Sequence, residues 1–418
     1  MREKQYKGKR VLVVSQHFWP ENFRINDIVA GFVEDGVEVD VLCGLPNYPT
    51  GEWYEGYSYR GPRRESYAGA EVFRSGEIPR KGNTNPRIFF NYTSFPLFAL
   101  FSLPRLRKRR YDAIFSYETS PVLMIFPAVV AARLKKAPLT CYVLDLWPEN
   151  LYPYLQVKSG VLRRLAQAVS DWLYRRCNRL IAMTDGQAKQ LEKVTQSAKK
   201  RPQIVIIPQY CEDFYAQDIV DEQLSARHAE KFTILFAGNI SPLQDLTNLV
   251  RAMRIVKDRG EQGIQVLIVG DGMSRQELER EIESSGLSDC FTFCGRCEPH
   301  EIPRWTGIAD ALFAGLADSE NLGLTLPAKI TSYFAAGRPL LVAANDEAAR
   351  ASKASGAALV SAAGDSEALA ENILALVHMS EEERRKMGQN GRRCYREHYS
   401  RDLLLNQIQQ VVLGDGVE

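Results

Sequence analysis

The residues best placed to do chemistry lie in "SENLGLTLPAKITSYFAAGRPLL" (319–341). Ala328 to Ala336 reads as a short helix. Ile330, Tyr333 and Phe334 make an i, i+3, i+4 apolar face, Pro327 suits the entrance, and Gly337 with Pro339 ends it. Lys329 then falls in the first turn, at the positive end of the helix dipole, where a cation costs about 0.3–1 kcal/mol. A lysine kept there, beside backbone N–H groups that lack helical partners, suits a bound anion such as phosphate. The loop before it adds one carboxylate, Glu320, with Asn321 and with Gly323, which lets backbone come close to a ligand. A second glycine turn, "VGDG" (269–272), follows a strand pattern and fits either a nucleotide or a plain strand-to-helix turn.

Other chemistries lack their signatures. "SQHFWPENFRIND" stands after the first strand in place of a GxGxxG dinucleotide fingerprint, and neither GxSxG nor a P-loop occurs. Cys290, Cys294 and Cys297 are close together but have no second Cys or His pair at metal spacing. Histidines 17, 228, 300, 378 and 398 are scattered, and no Asp-x-Asp pair could clamp a metal–diphosphate. No metal or other cofactor is expected.

The elements that must hold these residues follow a repeated pattern. "RVLVVS" (10–15), a helix with Ile25, Ile28, Val29, Phe32 and Val33 on one face, and "EVDVLCG" (38–44) form a βαβ unit. Further strands are expected at 113–117, 139–145, 179–184 and 203–208. The pattern restarts at "KFTILFAG" (231–238), a helix with Leu246, Leu249, Val250, Met253 and Val256 on one face, and "QVLIVGDG" (265–272). Strands at 290–295, 311–316 and 338–345 follow. The fold class is therefore α/β, with two Rossmann-like doubly wound domains expected to face a central cleft. The expected boundaries are 1–208, a linker at 209–230, 231–395, and a C-terminal helix at 396–418 returning to the first domain.

The 418 residues carry a formal charge of only +2, but it is unevenly spread. Residues 1–210 hold 32 Lys and Arg against 19 Asp and Glu, and the remainder 21 against 32. A basic half suggests an anionic partner. "FFNYTSFPLFALFSLPRLRKRR" (89–110) is apolar for about 15 residues and then strongly basic, too short to span a bilayer. Such a stretch can lie in the headgroup layer of anionic lipid. The N-terminus lacks the apolar run of a signal peptide, which with dispersed cysteines predicts a cytoplasmic chain, peripheral on the inner face of the cell membrane.

With these elements in place, the chain resembles the retaining GT-B glycosyltransferases of family 4, in the WbuB-like or WcaI-like subgroup of bacterial polysaccharide assembly. The resemblance rests on "FWPENFRINDIV" (18–29), "GLPNYPTGEWYEGY" (44–57), "LDLWPEN" (144–150), "AGNISPLQDL" (237–246), "LIVGDG" (267–272), "LPAK" (326–329), "YFAAGRPLL" (333–341) and "MGQNGRRCYREHYSRDLL" (387–404). It implies a nucleotide-sugar donor, expected to be UDP-linked, held by the second domain. The acceptor, expected to be a polyprenyl-diphosphate-linked saccharide of a capsule, O-antigen or exopolysaccharide, would be held by the first. No nucleic acid is expected as a partner. The leaving diphosphate would be stabilised by cations and a helix N-terminus, making catalysis a matter of positioning and charge.

Carried onto this chain, the resemblance implies Lys329, Asp145 and Glu320 as catalytic residues. Donor-binding roles fall to Gly238, Asn239, Gln244, Gly270, Gly272, Arg296, Asn321, Gly323, Leu324 and Ser332, and acceptor-side roles to Asn22, Arg24, Asn47, Tyr48 and Glu149. The chain departs from the family in several places. An Arg and a Lys that usually grip the diphosphate are here Asn239 and Gln244, which leaves Lys329 as the main positive charge. A ribose-binding glutamate is here Ser332. The register of another glutamate falls on Leu324 rather than Glu320. A first-domain histidine is here Leu144, and its role passes to the adjacent Asp145. Two rival readings are a GT-B sugar-nucleotide 2-epimerase and a non-catalytic sugar-nucleotide-binding protein of the assembly machinery.

Overall fold

The computed structural model describes residues 5–148, 160–318 and 324–414. They form two compact units, one of residues 1–207 with 405–418 and one of residues 208–404. Each is a Rossmann-like sheet covered by helices.

The first sheet contains β1 (Arg10–Ser15), β2 (Glu38–Cys43), β3 (Arg64–Tyr67), β4 (Ala70–Arg74), β5 (Ala113–Glu118), β6 (Leu139–Val143), β7 (Arg179–Ala182) and β8 (Gln203–Ile206). Their order is β3-β4-β2-β1-β5-β6-β7-β8, every pair is parallel except β3 with β4, and α1 (Ile25–Glu34) connects β1 to β2. Val11 to Val14 are wholly buried, as expected of a parallel strand covered on both faces. One face packs Leu12, Ile114 and Leu180 against Phe95 of α2 (Asn85–Ser102), Val129 of α3 (Ile125–Lys135) and Leu173 of the helix Gly160–Tyr174.

The second sheet is β11 (Phe291–Gly295), β10 (Ile264–Val269), β9 (Phe232–Ala237), β12 (Ala311–Gly315), β13 (Leu340–Ala343) and β14 (Ala358–Ser361), in that order and all parallel. The parallel order puts the ends of β9, β10 and β12 along one edge, where doubly wound sheets present their loops to ligands.

Three strands were not expected. β3 and β4 carry charged residues in a short hairpin at the edge of the sheet, and β14 is only four residues long. The segment 209–230, expected to be a linker, belongs to the second unit. It contains a turn of 3-10 helix at Asp213–Ala216 and a helix at Glu222–His228, capped by Asp221. Tyr395 Oη donates to Asp213 (2.9 Å), and Arg304 pairs with Asp221. Polar composition hid short elements held by polar contacts and by a few apolar side chains, among them Cys211, Tyr215 and Ala216, that join the core of the second unit.

The apolar-basic stretch is also partly structural. Phe95 is wholly buried, whereas Phe89, Phe90, Leu97, Phe98 and Phe101 are exposed, Phe101 to 80%. Arg109 is no free surface charge: it pairs with Asp40 and Glu71. Arg107, Lys108 and Arg110 are exposed. No helix among the described residues is long and apolar enough to cross a membrane.

Candidate functional site

In the second unit, the helix Ala328–Ala336 forms where the sequence places it. Its Tyr333 Oη accepts from the Ala237 N–H (2.9 Å), which ties the helix to the carboxyl end of β9. This bond decides where Lys329 goes. The first turn of a helix normally leaves a lysine in water, but here the side chain is half-buried. Its Nζ lies 3.6 Å from the centre of the Phe236 ring and donates to Gln244 Oε1 at 2.5 Å. Among the described residues no carboxylate lies within ion-pair reach, and burial pulls the ammonium pKa down to about 7.

The glycines shape this place rather than line it. Gly238 has φ 152°, and a Cβ there would stand 2.9 Å from Lys329 Nζ. Gly270 has φ 144°, and its Cβ would collide with the Gly238 carbonyl; one at Gly272 would collide with that of Ile240. Both turns let the loops after β9 and β10 pack together, with Gly238 N–H donating to Val269 O (2.9 Å) and Ile240 N–H to Asp271 O (2.9 Å). Asn239 is exposed and Gln244 half-buried beside the lysine. Ser332 turns its hydroxyl back onto the Lys329 carbonyl (2.9 Å). Leu324 is half-buried, and Arg296 is exposed past β11. Glu320, Asn321 and Gly323 lie outside the described residues.

In the first unit, Asp145 is half-buried two residues past β6. Ser120 Oγ donates to its Oδ2 (3.1 Å), and Trp147 Nε1 in turn donates to Ser120 Oγ (2.9 Å). The carboxylate is thus held in one orientation. Glu149 lies outside the described residues. Glu118, which the sequence reading passed over, is fully buried at the end of β5. Neither of its oxygens has a partner among the described residues. Burial, and then the charge of Asp145, push its pKa well above the usual carboxylate range, which favours the neutral form.

The acceptor-side residues separate into two kinds. Asn22 and Tyr48 are exposed and Arg24 is half-buried. Asn47 is wholly buried, which corrects its expected role as a ligand contact. Its N–H donates to Glu21 (2.8 Å), its Nδ2 to Leu45 O (2.9 Å) and Glu77 (3.0 Å), and its Oδ1 accepts from the Arg80 N–H (3.3 Å). It belongs to a polar network at the carboxyl ends of β1, β2 and β4 that includes Gln16, His17, Glu21, Glu77, Arg80 and Asn91. Burial would raise the Glu21 carboxyl, but His17 and the N–H groups of Tyr48 and Asn47 outweigh it and hold the pKa below the ordinary value. Glu77 is pushed up to about 7, chiefly by burial. The signal missed was a histidine two residues past a strand, with Glu77 and Arg80 following a strand too charged to read.

Comparison with known proteins agrees with both halves of this arrangement. Residues 22–208 match the family described as "Glycosyl transferase 4-like domain", and residues 220–394 that described as "Glycosyl transferases group 1". The chain is 25% identical over 237 residues to a 2-deoxystreptamine glucosyltransferase of Streptomyces kanamyceticus, spanning 56% of this chain and 61% of that protein. Its fold is similar to that of HepE from Anabaena, solved in complex with UDP. There the TM-score is 0.65 at 14% identity, covering 96% of this chain and 99% of HepE. It is also similar to WaaG, a glycosyltransferase involved in lipopolysaccharide biosynthesis, with TM-score 0.63 and 16% identity over 97% of this chain and 100% of WaaG.

Proposed function

We propose that this chain, a glycosyltransferase of the GT-B type, moves a sugar from a UDP-sugar to a polyprenyl-diphosphate-linked saccharide of a bacterial surface polysaccharide, with retention of configuration. The observation that carries the reading is Lys329: a half-buried lysine at a helix entrance, resting on Phe236 with a neutral amide as its hydrogen-bond partner. Among the described residues this cation has no anion beside it, and it sits in the first turn of the helix, at the positive end of the dipole. The donor diphosphate supplies one. As the sugar–phosphate bond breaks, negative charge grows on the diphosphate, and Lys329 with the helix dipole stabilises it without a metal.

Asp145, oriented by Ser120, acts on the acceptor hydroxyl, and the departing phosphate oxygen takes the proton on the same face. The neutral Asn239 and Gln244 contribute hydrogen bonds in place of the family's cations, and Ser332 serves the donor ribose. The finer family assignment, to the WbuB-like or WcaI-like subgroup, belongs to this proposal too. So does binding to the inner face of the membrane through exposed Phe89, Phe90, Leu97 and Phe101 with Arg107, Lys108 and Arg110.

The deciding experiment screens nucleotide-sugars by thermal shift and then measures turnover with lipid-linked acceptor in bacterial extract. Acceptor-dependent release of UDP with a glycosylated lipid product is the expected outcome. A donor epimerised at C2 without acceptor would establish the epimerase reading instead, and binding without turnover the non-catalytic one.

A further inference from the structure

Arg80 is the buried charge that the proposed reaction leaves unused. It follows β4 in the loop that leads to α2, and only 8% of it is exposed. Four residues from three parts of the fold converge on its guanidinium. Nε donates to Asn91 Oδ1 of α2 (3.0 Å), and Nη2 lies 3.3 Å from His17 Nε2, past the end of β1. The ring centres of Tyr48, past β2, and Tyr92, on α2, lie 5.3 and 5.0 Å from its central carbon.

A guanidinium can only donate, so His17 Nε2 accepts, and Nδ1 carries the proton that faces Glu21 Oε2 at 3.0 Å. The two nearby carboxylates bond other groups, although Glu77 Oε2 has no partner among the described residues. Glu21 accepts from the N–H groups of Asn47 (2.8 Å) and Tyr48 (2.7 Å) as well as facing His17. Glu77 Oε1 accepts from Gln16 (2.9 Å), Asn47 (3.0 Å) and Asn91 (2.5 Å). Neither bonds Arg80, and among the described residues no carboxylate forms an ion pair with it. Its Nη1 has no acceptor there and is not among the buried unpartnered atoms, so that nitrogen keeps some exposure to solvent.

Burying a guanidinium without an anion is unfavourable, because water is lost and no opposite charge replaces it. The two tyrosine faces offset part of that cost through their ring quadrupoles. They also restrict its movement, and Nη1, which has no acceptor among the described residues, can still donate. Tyr48, beside the guanidinium, is 41% exposed.

We propose that Arg80, packed against Tyr48 and Tyr92 and braced by His17 and Asn91, is a binding site for a phosphate or diphosphate group, distinct from the anion site at Lys329. If the proposed function is correct, the ligand is the diphosphate of the lipid-linked acceptor, and that identification alone rests on it. The anion site itself needs no sugar transfer to be tested.

The test uses the full chain and calorimetric titration with inorganic pyrophosphate and with farnesyl diphosphate, each in the presence of saturating UDP to block the Lys329 site. Both probes should still bind. Arg80→Gln should weaken both at least tenfold without lowering the melting temperature, because it removes an unpaired buried charge. Arg80→Lys, which keeps the charge but loses the fork, should recover only part of the affinity. Tighter binding of farnesyl diphosphate than of pyrophosphate assigns the site to a prenyl-linked headgroup, and equal binding to a soluble phosphate ligand; either supports the anion site. Loss of pyrophosphate binding in saturating UDP would overturn the proposal, since the anion would then share the donor site. So would unchanged binding in Arg80→Gln. If that variant does not fold, the wild-type titration against UDP still decides. If Lys329→Met abolishes UDP binding but not pyrophosphate binding, the two sites are separate even should the transferase reading fail.

Discussion

Donor binding should take up a proton, and Lys329 should be where it goes. With a pKa of about 7 in the free protein, the lysine is about nine-tenths neutral at pH 8. A diphosphate at about 4 Å interacts with the ammonium by about 4 kcal/mol per unit charge at an effective dielectric of 20, enough to raise the pKa by about three units. Binding UDP at pH 8 should therefore take up about 0.9 proton per site, and the affinity should fall nearly tenfold per pH unit above 8. Titration calorimetry at pH 8 in Tris and in HEPES reads this directly, as a heat that changes with the ionisation enthalpy of the buffer. A dissociation-constant series from pH 7.5 to 9 reads the slope, in a range where the terminal phosphate of UDP is already ionised.

Lys329→Met should bind UDP weakly at pH 7.5 and show neither the slope nor the buffer dependence. Its stability should move the other way. The unfolded lysine holds its proton to 10.5 and the folded one only to about 7. Between those values the unfolded chain carries the extra proton, so wild-type stability rises with pH across that window, and the penalty is fully present below it. Lys329→Met removes the penalty and should melt higher at pH 6.5 than wild type. A flat affinity profile with identical heats in both buffers would refute the reasoning, since the lysine would then be charged before the ligand arrives.

Three further outcomes are expected. Asp145→Asn should bind UDP normally and transfer sugar about 10²–10⁴-fold more slowly, the usual range for a positioned acid or base; an unchanged rate with a lower melting temperature would make Asp145 a strand-end cap. Turnover should survive EDTA, and complete loss restored by manganese or magnesium would establish a metal-dependent mechanism. Replacing Arg107, Lys108 and Arg110 with Gln, sparing Arg109 because it pairs with Asp40 and Glu71, should remove about 3 kcal/mol of binding to anionic liposomes at low salt. Liposome binding as tight as that of wild type would reduce the basic run to a solvated helix end.

Much of the architecture was legible because parallel sheets write themselves into sequence. A strand buried on both faces must be apolar throughout, as "VLVV" in β1 and "VLIV" in β10 are, and the crossover helices alternate with them at 3.6-residue spacing. The helix at 328–336 and the presence of Lys329 in its first turn were equally local facts, set by Pro327, Gly337 and the apolar face between them. β3, β4 and the short elements of 209–230 were not legible. They are short and carry charges, and their stability comes from pairing within the sheet, ion pairs and apolar contacts with residues distant in the chain.

The sequence by itself determined which residues could carry charge at strand ends, and tertiary structure decided what each charge is worth. Lys329 reads as an exposed helix residue until the Tyr333 bond to Ala237 brings it over Phe236, where loss of water lowers its pKa. Asn47 reads as a ligand contact until Glu21, Glu77 and Arg80 use up its amide. Glu118 and Arg80 read as ordinary charges, yet one is buried with no partner among the described residues and the other packs against two tyrosines. The reason is physical. Helix and strand periodicity arise from neighbours within a few residues, whereas desolvation and hydrogen bonding depend on groups brought close from anywhere in the chain.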